Sequence, residues 1–313
     1  MARGRLVLFT LILTCHREEA THAPLPSDTV ELPPPAPLEG VEPPIVYPTF
    51  DAGGRTEIAI PVVACAEISC CRTTRIFPPS TWKVKVTKEL LALDNPVSQL
   101  RVYMSADAIL LGPPGFGCRS VLESSGISLA ILPVDQVSAE DIVGRPLDGE
   151  LVRVESFSWY TSGYWPAGTI GTRVFPDALH DWLQGSFPDH PWARPNMFPT
   201  GPYPGELVSV DGLHASYVDP PGVAGIAAEQ RNLKPNGDPI RGAVFQRGDP
   251  VKGYEMMQVL AVRLGAERDP LVDAIIADFD ERMRAGRDYA LLRAIPRCAE
   301  GSDVDEAEGP CRH

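Results

Sequence analysis

Positive charge is what this sequence has little of: 28 Lys and Arg stand against 41 Asp and Glu, a formal net charge of −13. Nucleic-acid phosphates demand a basic face, so the composition argues against that partner. It argues equally against an electrostatic grip on anionic lipid. The signatures of common enzyme classes are missing as well. There is no Gly-x-Ser-x-Gly, no His-Glu-x-x-His, no Gly-rich phosphate loop and no kinase-type set. No Cys-x-x-Cys occurs, and no Cys/His cluster has zinc spacing. The expectation is therefore no metal and no cofactor.

What is present begins with MARGRLVLFTLILTCHREEA. Arg3 and Arg5 precede an apolar run, Leu6–Leu13, far shorter than the ~20 residues a membrane span needs. A basic start, a short apolar run and then a cysteine resemble the signal of bacterial lipoproteins, with Cys15 as the lipidated residue. Thr14 stands where that signal usually has Gly or Ala. The expectation is an exported, membrane-anchored protein of the cell envelope, held by lipid on Cys15. The alternative is a secreted chain whose signal is cut elsewhere. Residues 16–50 then hold nine prolines between Pro24 and Pro48. Such chain extends at about 3.1 Å per residue and reads as a disordered, semi-rigid tether.

Seven cysteines remain to be placed: Cys15, Cys65, Cys70, Cys71, Cys118, Cys298 and Cys311. Lipidation of Cys15 leaves an even six, as an oxidising compartment and three disulfides would require. Cys118 is expected to bond to one of Cys65, Cys70 and Cys71, and Cys298 to Cys311. The adjacent Cys70 and Cys71 read as halves of two different bridges. Asp303, Asp305, Glu306 and Glu308 lack the glycine turn of a calcium loop and read as a solvated acidic tail.

The fold class expected is α+β: a mostly antiparallel sheet of short strands, few helices, and a C-terminal amphipathic helix packed on the sheet. WKVKVT (82–87) alternates Trp82, Val84 and Val86 against Lys83, Lys85 and Thr87, the mark of a strand with one dry face. TEIAIPVV (56–63), residues 101–134 with their Pro-Pro-Gly and Ser-Ser-Gly turns, ELVRVESF (150–157), ELVSVDGLHASYV (206–218), GAVFQ (242–246) and MQVLAVRL (257–264) read as further strands. PDALHDWLQG (176–185) reads as a short helix. DPLVDAIIADFDERMRAG (269–286) reads as the main one, with Asp269 as N-cap, Pro270 at its first position and Gly286 as the stop. Leu271, Ile275, Phe279 and Met283 form its apolar stripe, and Asp278–Arg282 and Asp280–Arg284 its outer-face pairs. The organisation is thus a signal (1–15), a tether (16–50), a single domain (51–296) and a disulfide-closed acidic tail (297–313).

Three stretches occur in order: LGPPGFGCRSVLESSGISLAILPV (111–134), RVFPDAL (173–179) and YVDPPGVAGIAAEQRNLKPNGDPIRGAVF (217–245). Together they resemble a family of secreted bacterial proteins, from actinobacteria and other soil bacteria, with P-x-G-W-x-C, LFP-x-A and DPPGV-x-G motifs. The resemblance spans roughly residues 56–285 and implies export and disulfides, with no particular activity. Phe116 replaces the tryptophan and Ser124-Ser125-Gly126 an Asp-Gly-Ser turn. Cysteines of the family at positions matching Val262 and Val272 imply that these two valines face each other.

Two readings of function compete. In the first, a non-catalytic domain binds a wall polymer or an envelope protein. Trp159, Tyr160, Tyr164 and Trp165, with Trp182 and Trp192 downstream, are its candidate platform, because aromatic rings stack on sugars and dominate hot spots. In the second, a secreted hydrolase uses His180, His190 or His214 with a neighbouring aspartate and a serine brought close by the fold. Asp219 and PNGD (235–238) read as turn residues, PNGD as a hairpin type.

Overall fold

Two sheets carry the fold in the computed structural model, which describes residues 56–69, 72–137, 145–158, 161–177, 198–204, 206–247, 256–285 and 297–300. By internal contacts the chain divides into Met1–Val46 and Tyr47–His313, and every described residue lies in the second unit. The smaller sheet holds β1 (Glu57–Ala64), β4 (Thr81–Lys85), β5 (Arg101–Met104) and β6 (Ile109–Gly112), in the order β4-β1-β5-β6.

The larger sheet collects β2 (Ala66–Ser69), β3 (Arg72–Ile76), β7 (Phe116–Glu123), β8 (Gly126–Pro133) and β9 (Leu151–Ser158). It is completed by β10 (Glu206–Asp211), β11 (His214–Asp219), β12 (Ile240–Arg247), β13 (Met256–Arg263) and β14 (Arg297–Glu300). Their order is β10-β11-β12-β13-β9-β8-β7-β2-β3-β14. Pairing is antiparallel except for β1 with β5 and β2 with β7. The α+β reading holds. β14 differs from expectation, because Arg297–Glu300 pair with β3 as an edge strand instead of opening a separate tail.

A single residue separates the sheets along the chain. β1 ends at Ala64, β2 starts at Ala66, and Cys65 between them donates its N–H to Met104 O at 2.8 Å. Cys65 is disulfide-bonded to Cys118 on β7, with a Cα–Cα distance of 5.2 Å. This is one of the three pairings expected for Cys118. Cys15, Cys70, Cys71 and Cys311 lie outside the described residues.

Among the described residues helices are few: two short ones, α1 (Lys88–Leu91) and α2 (Pro96–Gln99), then α3 (Tyr164–Val174) and α4 (Asp269–Ala285). Side chains alternate across a strand, so the ten-stranded sheet has two faces, and both are covered. Leu129, Ile131, Val152, Val154, Leu260 and Val262 pack with Leu271, Ile275 and Phe279 of α4 and with Ile58, Ile60 and Val102 of the smaller sheet. The opposite face, including Ala130, Leu132, Leu151, Phe157, Val259 and Ala261, packs with Ile170 and Val174 of α3 and with Ile226 and Leu233 from the β11–β12 connection. Each buried Val, Leu, Ile or Phe side chain among them contributes about 1.5–3 kcal/mol relative to exposure. Val262 and Val272 belong to the first core and line one pocket with Leu264.

The expected apolar stripe of α4 is present; its polar residues differ. Asp269 is already helical (φ −51°, ψ −38°), because a 3-10 turn, Ala266–Arg268, runs straight into the helix. Its carboxylate binds Arg241 at 2.6 Å instead of capping. Asp278 pairs with Arg282 at 2.9 Å, yet it is buried instead of lying on an outer face. Asp280 and Arg284 turn to the β10–β11 hairpin, which approaches that end of the helix.

Candidate functional site

His214 is the one candidate histidine among the described residues; His180 and His190 lie outside them. The stretch 206–218, read as one strand, is a hairpin that turns at Gly212 (φ 59°), so His214 opens β11 opposite Asp211. Its side chain is buried. Nε2 lies 2.8 Å from Asp280 Oδ1, and Nδ1 lies 3.1 Å from a guanidinium nitrogen of Arg284. A guanidinium only donates, so Nδ1 accepts and Nε2 carries the proton given to Asp280. Arg284 also binds Asp211 Oδ2 at 3.0 Å. Both ring nitrogens are therefore engaged by an acid and an arginine, and neither is left to take a proton from a serine. The cluster fastens α4 to the hairpin.

The DPPGVAG stretch is a second construction. Val223 N–H donates to Pro220 O at 3.0 Å, closing a turn in which Gly222 takes φ 73°, a conformation open to glycine at no steric cost. Asp219, 1 % exposed, reaches across this loop: Oδ1 accepts from Ile226 N–H at 3.1 Å and Oδ2 from Ala227 N–H at 2.8 Å. It therefore caps the 3-10 turn Ile226–Glu229 beyond the Pro-Pro-Gly turn, not that turn itself. Burial pushes its carboxyl up to about 6, against the pull of the two N–H donors. PNGD is no hairpin: Asn236 O accepts Gly222 N–H, so the two turns hold each other within the long β11–β12 connection.

Sequence reasoning missed the buried charges of the same face. Arg263, 1 % exposed, donates to Gly149 O (2.7 Å), Lys234 O (2.6 Å) and Leu147 O (3.0 Å). Arg153 pairs with Glu155 at 3.2 Å and donates to Arg231 O, while Arg231 N–H donates to Glu155 Oε2 at 3.1 Å. Desolvation raises the Glu155 carboxyl above the ordinary range, with Arg153 opposing it. The donors and acceptors meet loop backbone, so these side chains pin residues 145–150 and 220–239 onto the sheet. The cleft beside them, bordered by Glu123, Ser125 and Ser128, has about 10 Å³ for water, close to one molecule.

A groove of about 360 Å³ lies elsewhere, between β4 and the second half of α4. Thr81–Lys85 line it on one side, with Glu57 beside them, and Asp278, Glu281, Arg282 and Ala285 on the other. β4 is the outer strand of its sheet. Val62 N–H donates to Ser80 O and Val86 N–H to Thr56 O. Hydrogen-bonded pairs alternate along an antiparallel ladder, so Trp82 and Val84 bond to β1, and the backbone groups of Thr81, Lys83 and Lys85 point off the open edge. Val84 is buried and Trp82 half-buried, while Lys83 and Lys85 are exposed, as the alternation of WKVKVT requires.

Of the aromatic platform, Trp159, Tyr160, Trp182 and Trp192 lie outside the described residues. Trp165 is 46 % exposed at the start of α3, edge-on to Tyr164 at 6.4 Å and tilted against Phe198 at 5.7 Å. Among the described residues no group of three or more His, Cys, Asp or Glu could hold a metal ion, and no helix is long and apolar enough to cross a membrane. No protein-family model, curated protein or solved structure matches the chain.

Proposed function

We propose that this chain is an exported, membrane-anchored binding domain that recognises a protein of the cell envelope and performs no chemistry on it. Export is supported by the lipoprotein-like run ending at Cys15 and by the resemblance to a secreted bacterial family. The observation that carries the binding reading is the groove whose one wall is the open edge of β4. Backbone groups on an open edge recognise polypeptide better than sugar, which favours a protein over a wall polymer. Of the three histidines of the hydrolase reading, His214 gives it no support, because both its ring nitrogens are spent on Asp280 and Arg284; His180 and His190 lie outside the described residues.

The test is made in whole cells with the full chain carrying a photo-crosslinking side chain at Thr81 or, as control, at Val210 on the exposed face of β10. Crosslinks to one envelope protein from Thr81 alone support the reading. Equal crosslinking from both positions, or a hydrolytic activity of the purified chain abolished by His214→Ala in a folded variant, overturns it. Cys15→Ser is expected to move the chain from the detergent phase to the aqueous one; unchanged partitioning removes the anchor.

A further inference from the structure

Resting on that reading, we infer that the β4 edge binds its partner by strand addition, and that the added strand is an extended segment alternating acidic and apolar residues. The backbone N–H and C=O groups of Thr81, Lys83 and Lys85 already point away from β1, so an incoming strand completes a ladder instead of creating one.

Charge selects the occupant. The Lys83 side chain is 79 % exposed, and its register partner on β1 is Ala59, which offers it no charge. Its nearest carboxylate, Glu57, is 3.8 Å away and itself half exposed, a pair worth little. Lys85 is likewise mostly exposed; it pairs with Glu281 and stands opposite Glu57 on β1, so Lys83 is the lysine that an added strand meets with the weaker partner. A strand on the open side places a residue directly opposite Lys83, where an acidic side chain is favoured and a basic one repelled. A second copy of this chain is disfavoured on that ground: a two-fold pairing of β4 with itself, centred on Lys83, sets Lys83 against Lys83. Lysines that block self-pairing of an edge thus leave it open to acidic segments. Residues of the added strand on the other face fall beside half-buried Trp82 and buried Val84, which calls for apolar side chains there.

The experiment titrates the full chain with a short blocked peptide alternating valine and glutamate, and with its valine–lysine counterpart, while following backbone amide exchange. The acidic peptide is expected to bind about tenfold or more tighter than the basic one and to protect the amides of Thr81, Lys83 and Lys85. Lys83→Pro removes the outward N–H while sparing the bonds to β1; it is expected to abolish binding, with Lys83→Ala weakening it only severalfold. Equal affinity for both peptides, no binding, protection elsewhere, or full binding by a folded Lys83→Pro variant overturns the inference. Should Lys83→Pro fail to fold, the amide protection pattern of the unaltered chain decides alone. Binding seen only after deletion of residues 16–49 makes the chain's own leader the occupant and overturns the assignment to a partner. Groove crosslinks in cells without acidic-peptide binding leave the binding function standing and remove this mode.

Discussion

The Asp219 carboxylate fills the space that a side chain on Gly225 would need: a Cβ added at Gly225 would lie 2.0 Å from Asp219 Oδ1. The close approach lets one buried carboxylate hold two successive N–H groups. Gly225→Ala is therefore expected to displace Asp219 and destabilise the domain by about 2–3 kcal/mol, as overpacking of a buried site does. Urea unfolding measures it, and an unchanged midpoint would show that the loop yields freely.

Asp219 also sets a pH dependence. Its folded pKa, about 6, is above the ordinary aspartate value, so the folded state keeps the proton longer than the unfolded chain. Its contribution is then complete below about pH 4 and lost as pH rises through about 6. A shift of that size sets an upper bound of about 3 kcal/mol. Glu155, raised by burial, acts with the same sign. The unfolding midpoint is expected to fall between about pH 4 and 7, and Asp219→Asn to flatten that fall, leaving the share from Glu155. Equal slopes in the two proteins would assign the dependence elsewhere.

The Cys65–Cys118 bridge closes a loop with a sequence separation of 53 residues. Reduction, or Cys65→Ala with Cys118→Ala, is expected to lower stability by about 2–4 kcal/mol. Denaturant melts with and without reductant test this, and mass mapping of the oxidised chain should return the Cys65–Cys118 peptide pair.

His214 and Asp280 should be coupled in stability and in nothing catalytic. His214→Ala removes a buried ring from between part-buried Asp280 and half-exposed Arg284, both of which water can reach, at a cost of about 0.5–1.5 kcal/mol. A double-mutant cycle with Asp280→Ala is expected to return a coupling above about 0.5 kcal/mol. A cycle that sums to zero would mean that the hairpin and α4 are held by packing alone.

Where local pattern and tertiary environment agree, the sequence was legible. The WKVKVT alternation gave β4 with its lysines outside, and the Leu271–Ile275–Phe279 stripe gave the face of α4 that enters the core. Two kinds of feature were not legible. α3 was missed because Pro166, Gly168 and Gly171 are poor helix formers; its burial against the sheet outweighs that propensity. Charges in an alternating strand ordinarily mark its wet face, yet Arg153, Glu155 and Arg263 are buried, because loops distant in sequence supply their partners. The role of Asp280 was hidden for the same reason: its partner, His214, is 66 residues away.

Cys65 has a mechanical consequence for a chain held by its N-terminal end. Tension on such a chain enters the described fold at Thr56, runs along β1 and reaches Cys65, where the path divides. With the disulfide closed, part of the load passes sideways into β7, in the interior of the ten-stranded sheet, and the short edge-side strands β2 and β3 are shielded. With it open, the whole load continues into β2, a strand of four residues. The bridge thus spreads the load over two neighbouring strands of the larger sheet, β7 and β2, where the open form would load β2 alone.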